Sequence, residues 1–467
     1  MASTYDYDLV CIGSGPAGQR GAIQAAKLRK RVLVVKRRPR IGGESLGFGT
    51  IPSKTFREAV LWFTGHEKAG QFGVAAGGPR ANATFPQLKS RVADVLNREG
   101  SVIEDQLRRN NVEVAHGSAA FVAPHTLVIR GAAGERRVIA EFVLVAVGTR
   151  PAAPPGMVDD GISVVDSDDL LALDELPRSL VVIGGGVIGM EYASMFATLN
   201  VAVTLIERRE RPLDFLDREI IDELMHQMRE HGVIFRLGEA VTSVTVATAP
   251  RRHAIVRLES GKVVGADVAF FSTGRIGATK DLGLDAAGVV VDERGRIKVD
   301  DCFKTSSPGI YAAGDVIGSP ALAATSMEQG RLSACHAFGA DARPMESHFP
   351  IGIYAIPECS MVGATEQDLT AQKIPYESGI GRYRDTARGQ ILGDDTGLFK
   401  MLFHREDRCL LGAHCIGTGA TELIHVGQAV LGLGGGLDYF LRTVFNYPTL
   451  AECYKIAALN AANRLSE

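Results

Sequence analysis

The stretch DLVCIGSGPAG, at residues 8–18, decides the fold of the first part of the chain. Its apolar run predicts a short buried parallel strand, and the glycine-rich turn after it opens into a helix. A further strand is predicted at residues 32–35. This order of elements is typical of a dinucleotide-binding βαβ unit, in which the backbone N–H groups around Gly13, Gly15 and Gly18 approach a pyrophosphate.

The same pattern recurs in the middle of the chain. The strand SLVVI at residues 179–183 precedes the loop GGGVIG at residues 184–189, a helical stretch and a strand at residues 201–207. A single G-x-G-x-x-G motif is a weak indication, but two of them, each between a strand and a helix, predict two nucleotide sites. The glycines of the second loop are Gly184, Gly186 and Gly189.

Length and composition are those of a globular protein with several domains. The 467 residues suit about three domains of about 150 residues each. The net charge of −3 gives no reason to expect a nucleic acid or an anionic membrane as partner. No apolar run reaches the roughly 18 residues of a membrane span. The seven cysteines show no C-x-x-C spacing, and no H-E-x-x-H occurs, so we expect no metal site and a reducing cytoplasm.

The stretch GGESLGFGTIPSK, at residues 42–54, resembles the redox-active segment of the flavin-dependent disulfide oxidoreductases, such as lipoamide dehydrogenase and glutathione reductase. In that family the pattern is G-G-x-C-x-x-x-x-C-x-P-S-K. Ser45 and Thr50 occupy the two cysteine positions here. Because a hydroxyl cannot cycle between thiol and disulfide, the resemblance predicts a flavin scaffold without its dithiol relay.

A second departure lies near the C-terminus. The stretch FNYPTLAE, at residues 445–452, resembles the family pattern H-x-H-P-T-x-x-E, with Tyr447 at the place of the histidine that handles thiol protons. Tyrosine has an ordinary pKa of about 10 and is a poor proton shuttle at neutral pH. The thiols and their base are both replaced, which favours changed chemistry, and we expect Tyr447 to pack at an interface.

The resemblance extends over essentially the whole chain. The motifs GTIPSK (residues 49–54) and FNYPT (residues 445–449) are similar to those of the soluble, flavin-containing pyridine nucleotide transhydrogenases. This implies an α/β fold with two Rossmann-like dinucleotide-binding domains, for FAD and NAD(P), and a C-terminal α+β dimerisation domain. The implied bounds are residues 1–150 and 271–346 for the FAD domain, 151–270 for the NAD(P) domain and 347–467 for the C-terminal domain.

The resemblance also implies roles for single residues. Asp315 would meet the ribityl chain of the flavin. Lys54 would lie beside the reactive flavin nitrogen and pair with Glu191, so that the two steady the charge on reduced flavin. The other glycines implied at the cofactors are Gly42, Gly43 and Gly148 for FAD and Gly274 for NAD(P).

Two positions depart from the usual rules of nucleotide recognition. The residue that ends the second strand normally accepts hydrogen bonds from the ribose, but Lys36 stands there and can only donate. We therefore expect the flavin's adenosine ribose to be held differently or flavin binding to be weakened. After the second glycine-rich loop, Glu207 would favour NAD by bonding the ribose diol, and Arg208 would favour NADP by pairing with the 2′-phosphate.

These observations predict an FAD-dependent enzyme that transfers hydride between NADPH and NAD⁺ at one nicotinamide site, in the cytoplasm, as a homodimer or larger homo-oligomer. The expected cofactors and substrates are FAD, NAD(H) and NADP(H). Two alternatives remain open at this point. One is an NAD(P)H dehydrogenase that passes electrons to a quinone or oxygen, and the other is a non-catalytic nucleotide-binding homologue.

Overall fold

The computed structural model describes residues 5–65, 84–132, 134–152, 157 and 159–465. The strands, numbered along the chain, are β1 (Tyr7–Ile12), β2 (Val32–Lys36), β3 (Glu113–His116), β4 (Ser118–Ala123), β5 (Thr126–Gly131), β6 (Gly134–Val145), β7 (Thr149–Pro151), β8 (Val164–Val165), β9 (Ser179–Ile183), β10 (Ala202–Glu207), β11 (Ile234–Leu237), β12 (Val241–Ala247), β13 (His253–Leu258), β14 (Val263–Ala266), β15 (Val268–Phe271), β16 (Arg275–Gly277), β17 (Ile310–Ala312), β18 (Ile351–Ile353), β19 (Cys359–Gly363), β20 (Tyr376–Arg382), β21 (Leu398–His404) and β22 (Leu410–Ile416).

The α-helices are α1 (Pro16–Lys27), α2 (Gly43–Gly47), α3 (Thr50–Thr64), α4 (Phe85–Arg109), α5 (Val187–Thr198), α6 (Arg218–Glu230), α7 (Ala323–Ala337), α8 (Glu366–Gln372), α9 (Ala387–Leu392), α10 (Ala420–Gly432), α11 (Leu437–Arg442) and α12 (Glu452–Leu465). None of the helices in the described part of the chain combines the length and the apolar character that a membrane span requires.

The chain divides into two compact units, each built from separate segments. The first comprises residues 1–55, 89–152 and 274–345, and the second comprises residues 56–88, 153–273 and 346–467. The bounds predicted for three domains from the sequence remain a prediction.

The first unit is built on one large sheet in the order β3-β2-β1-β6-β5-β4, with β17 also pairing with β6. Strands β1, β2, β3, β6 and β17 pair in parallel. Buried parallel strands require apolar residues on both faces, which explains the unbroken run from Leu9 to Ile12. Helices α1 and α7 belong to the same unit and pack against each other. The carboxyl ends of the parallel strands therefore form the edge where a dinucleotide is expected.

The second unit contains the second parallel sheet, in the order β11-β10-β9-β15-β8, and an antiparallel sheet of β12, β13 and β14. Its C-terminal part is an antiparallel sheet in the order β18-β19-β22-β21-β20. Strands β21 and β22 of this sheet are buried along almost their whole length, and Phe399 packs with Phe440 and Tyr454 in the apolar cluster of this part.

The sequence-based expectations for the fold are confirmed. The strand predicted at residues 179–183 is β9, and the strands that flank each glycine-rich loop pair in parallel. The C-terminal α+β domain implied by the resemblance comprises the strands β18 to β22 and ends in α12.

Candidate active site

The first glycine-rich loop connects β1 to α1, and its glycines are required for two different reasons. A Cβ on Gly13 would lie 2.2 Å from the carbonyl oxygen of Ala146, and one on Gly18 would lie 2.0 Å from the carbonyl oxygen of Gly13. The fold itself excludes side chains at these two positions. A Cβ on Gly15, in contrast, would meet no atom of the chain closer than 3.9 Å. The open space at Gly15 fits the approach of a phosphate group to the helix N-terminus.

The second loop, between β9 and α5, repeats this arrangement. A Cβ on Gly184 would lie 2.7 Å from the carbonyl oxygen of Ser272, and one on Gly189 would lie 1.9 Å from that of Gly184. No atom lies within 4 Å of a Cβ built on Gly186. Both loops thus leave their middle glycine open, which suits two pyrophosphates.

The segment that lacks the cysteines lies beside the first loop. Gly42 and Gly43 have positive φ angles of 108° and 63°, and a Cβ on Gly43 would lie 2.7 Å from the Cα of Gly15. Ser45 is partly buried in α2, and Thr50 is exposed at the start of α3. All seven cysteines of the chain lie in the described residues and are free thiols. No sulfur pair therefore stands in for the missing dithiol.

Three residues of the first unit that sequence reasoning did not single out form a polar cluster at the same site. The Arg275 guanidinium lies 2.8 Å from the Glu44 carboxylate and donates a hydrogen bond of 2.8 Å to the Thr149 hydroxyl. Glu44 also lies close to Gly148, whose φ is 67°. The antiparallel pairing of β7 with β16 brings Thr149 and Arg275 together, and Glu44 joins them from α2, 105 residues before Thr149, so no local pattern in the sequence could have indicated the cluster.

Asp315 follows β17 at the same edge of the first sheet. Burial raises the pKa of Asp315, while the nearby Arg275 and a hydrogen bond from Ser326 lower it in part. The Gln329 side chain accepts a hydrogen bond of 2.8 Å from the Gly314 backbone N–H and so fixes the turn before Asp315. The carboxyl group is therefore held in a partly shielded position, as a ligand to a cofactor hydroxyl requires.

Lys36 ends β2 with its side chain buried. The ammonium donates a hydrogen bond of 2.6 Å to the carbonyl oxygen of Pro39. Burial lowers the pKa of Lys36, and Glu104 raises it in part. Both residues line a cavity of about 370 Å³ at the carboxyl ends of β2 and β3, with Arg108 and His116 also on its wall. The adenosine end of a dinucleotide is expected at this edge.

Lys54 and Glu191 belong to different units, and their predicted pairing remains a prediction. The Lys54 ammonium lies 3.3 Å from the hydroxyl of Ser53. Glu191 is buried in α5, and its carboxylate accepts a hydrogen bond of 2.9 Å from the Tyr354 backbone N–H. Gly274, predicted on the NAD(P) side, lies in the first unit, where its carbonyl oxygen accepts a hydrogen bond from the Ala152 N–H. Its role also remains a prediction.

Glu207 and Arg208 lie at the end of β10 with opposite exposures. Glu207 is 7% exposed, and its carboxylate accepts a hydrogen bond of 2.6 Å from the Gly185 backbone N–H. Arg208 is exposed.

In the C-terminal part of the second unit, Tyr447 is 68% exposed, and one carboxylate oxygen of Glu452 is buried without a hydrogen-bond partner among the described residues.

The chain belongs to the pyridine nucleotide-disulphide oxidoreductases, because residues 7–330 match that family and residues 349–458 match its dimerisation domain. This confirms the family predicted from the sequence. The chain is 49% identical to a soluble pyridine nucleotide transhydrogenase of Mycobacterium bovis (strain BCG / Pasteur 1173P2), over 98% of each chain. It is 40% identical to that of Colwellia psychrerythraea (strain 34H / ATCC BAA-681), over the full length of both.

Solved structures of the family share the fold. LpdA of Mycobacterium tuberculosis superimposes with a TM-score of 0.88 at 27% identity, covering 97% of this chain and 99% of the other. The HOCl-induced flavoprotein disulfide reductase RclA of Escherichia coli superimposes with a TM-score of 0.87 at 26% identity, with the same coverage. The fold is therefore that of flavoprotein oxidoreductases, while Ser45 and Thr50 replace the residues by which a disulfide reductase works.

Proposed function

We propose that this protein catalyses hydride transfer between NADPH and NAD⁺, with the two coenzymes alternating at one nicotinamide site. One combination of features supports this function above all. Both nucleotide loops keep their glycine geometry, while Ser45 and Thr50 stand where a dithiol would pass electrons onward. FAD, when bound, supplies the group that accepts the hydride and returns it.

The residues of the chain bind and orient the two dinucleotides and stabilise the charge on the reduced flavin. The N–H groups around Gly15 in the first loop and Gly186 in the second face the two pyrophosphates, where the helix dipoles favour negative charge. Asp315 would accept a hydrogen bond from a ribityl hydroxyl of FAD. Lys54 would steady negative charge on the reduced ring.

The relatives support the same activity, since those at 49% and 40% identity are named soluble pyridine nucleotide transhydrogenases. The dimerisation domain at residues 349–458 supports a homodimer. Exposed apolar side chains in this part of the chain, at Leu433, Val444 and Tyr447, suit a surface covered by a second copy. We place the enzyme in the cytoplasm, where its free thiols stay reduced.

The visible spectrum of the purified protein under anaerobic conditions tests the proposal. A yellow protein should bleach with NADPH and regain its colour with NAD⁺. Steady-state kinetics with both coenzymes should give parallel double-reciprocal lines, because the first product leaves before the second substrate binds. Intersecting lines would exclude alternation at one site.

The same experiment distinguishes the two alternatives. A protein that bleaches with NADPH, ignores NAD⁺ and takes up oxygen on admission of air would be an NAD(P)H dehydrogenase. A colourless protein that cannot be reconstituted with FAD would be a non-catalytic homologue.

A further inference from the structure

The carboxylate of Glu207 is fully used by donors of its own chain. One oxygen accepts hydrogen bonds from the Gly185 backbone N–H at 2.6 Å and from the Arg209 guanidinium at 3.2 Å. The other accepts from the Arg209 backbone N–H at 3.0 Å and from its side-chain Nε at 3.0 Å. A carboxylate offers about four lone-pair sites, so these four donors leave none for a ribose diol.

The electrostatics of Glu207 agree with this geometry. Burial alone would raise the pKa of Glu207, but the hydrogen bonds from Arg209 and Gly185 lower it by more. The carboxylate is therefore charged at neutral pH and satisfied inside the chain. A Cβ on Gly185 would lie 3.1 Å from the Glu207 carboxylate oxygen that accepts from the Gly185 N–H. The glycine-rich loop and the Glu207 side chain are therefore packed against each other.

The two arginines after Glu207 differ in the hydrogen bonds and ion pairs that their side chains make. Arg209 is held by Glu207 and by Asp214, whose carboxylate lies 2.8 Å from its other terminal nitrogen. Its backbone carbonyl also accepts a hydrogen bond from the Gly238 N–H. Arg208 is exposed and makes no hydrogen bond or ion pair within the described residues. Of the pair, Arg208 alone has a guanidinium ready for an incoming anion.

We infer that Glu207 is a positioning residue, which fixes Gly185 and Arg209, and that Arg208 is the residue that distinguishes a phosphorylated from an unphosphorylated adenosine ribose. The usual pairing of an acidic residue with the ribose diol is thereby absent from this site. Because the charge of Glu207 is paired with that of Arg209, this carboxylate does not repel a 2′-phosphate, and the site can accept both coenzymes. This inference rests on the proposed function in that it takes the second loop as the coenzyme site.

Two small probes that differ only in the 2′-phosphate test the inference. Titration calorimetry measures the binding of 2′,5′-ADP and of 5′-AMP to the FAD-loaded protein, in which the first nucleotide site is filled. In Arg208→Met we expect the affinity for 2′,5′-ADP to fall about tenfold or more, because a charge-assisted bidentate contact is lost, with 5′-AMP unchanged. Arg211→Met is the matched control, since Arg211 lies in the same loop but pairs with Asp222.

Two further variants separate the roles of Glu207 and Arg209. Arg209→Met removes two of the four donors to the carboxylate, so 5′-AMP binding should tighten about tenfold as Glu207 becomes free to accept from the diol. Glu207→Gln should weaken both probes alike, because the amide oxygen can still accept from Gly185 but the charge-assisted bonds that fix Arg209 are lost. Thermal melting of each variant confirms that it is folded.

The outcomes separate the inference from the function on which it rests. Selective loss of 5′-AMP binding in Glu207→Gln, or unchanged 5′-AMP binding in Arg209→Met, would show that Glu207 already contacts the ribose and would overturn the inference. Equal effects of Arg208→Met and Arg211→Met on 2′,5′-ADP would overturn the role of Arg208. A wild-type protein that binds neither probe would instead refute the proposed function.

Discussion

Lys400 and Asp217 form an ion pair of 2.9 Å in which both side chains are only 1% exposed. Lys400 lies on β21, and Asp217 is the N-cap residue of α6, where its carboxylate accepts a hydrogen bond from the Glu219 backbone N–H. Glu219 and Glu366 place further carboxylate oxygens 3.0 Å and 2.8 Å from the same ammonium. The buried cation thus joins the start of α6 to the start of α8 within the second unit.

Removal of this cation should destabilise the fold strongly. In Lys400→Met, the carboxylate of Asp217 stays buried without its partner, and such losses cost about 3–5 kcal/mol. Urea unfolding monitored by circular dichroism measures the change in the free energy of unfolding. The control is Arg130→Met, because the Arg130–Glu135 pair is 61% and 59% exposed and should contribute less than about 1 kcal/mol. If both variants lose the same free energy of unfolding, burial does not make the Lys400–Asp217 pair more important than an exposed pair.

His414 should make the protein less stable in mild acid. It is buried, its Nε2 donates to the Ala364 carbonyl oxygen at 2.9 Å, and its Nδ1 has no hydrogen-bond partner among the described residues. Burial lowers the pKa of His414, and Lys400 lowers it further, although Asp217 and Asp368 oppose this.

The sign of the pH effect follows from that depressed pKa. Below about pH 6.5 the unfolded chain protonates this histidine while the folded chain resists, so stability falls as the pH falls. His414→Gln keeps a donor for Ala364 and removes the titration, so its unfolding midpoint should depend less on pH between pH 7 and pH 5. If the unfolding midpoint of His414→Gln depends on pH as steeply as that of the wild-type protein, other groups cause the loss of stability in acid.

Lys36 should weaken the hold on the flavin. Its ammonium is occupied by the Pro39 carbonyl and offers no acceptor to a ribose. Lys36→Glu supplies an acceptor at the usual position and should retain FAD better by about tenfold, the effect of one hydrogen bond to a charged group. Fluorescence of the flavin released on dilution measures the change.

A second variant at this position isolates the effect of the carboxylate. Lys36→Gln removes the same charge and alters the same contact with Pro39 but adds no ionised acceptor. Retention that improves equally in both variants, or in neither, would show that the ribose is held elsewhere.

The electron capacity of the protein should equal that of its flavin alone. With Ser45 and Thr50 in place of a dithiol, full reduction should require about one equivalent of NADPH per flavin, since a disulfide would take two further electrons. Anaerobic titration followed by the flavin absorbance measures this. In Ser45→Cys/Thr50→Cys, consumption of a second equivalent would show that the serine and threonine are what prevents sulfur chemistry. A second equivalent in the wild-type protein would reveal an electron acceptor other than the flavin, such as a disulfide formed between two of its seven cysteines.

The parts of the site that are contiguous in sequence could be predicted, and the parts assembled from distant segments could not. The loops at Gly13 and Gly184 were recognisable because strand, turn and helix follow one another within about twenty residues. The cluster of Glu44, Thr149 and Arg275 was not, because β7 and β16 are more than a hundred residues apart in the chain. Nor did the sequence indicate that Lys400, within an alternating strand, faces three carboxylates.

The sequence by itself determined the two nucleotide-binding units, the family, and the replacement of the dithiol at Ser45 and Thr50, because each of these depends on residue type and local spacing. Only the tertiary structure decided how the polar groups are used. The residue type alone marked Glu207 as a ribose ligand, but hydrogen-bond capacity is finite, and its four acceptor sites are filled by Gly185 and Arg209. Which donors reach a carboxylate is a property of the folded backbone, and no local pattern in the chain encodes it.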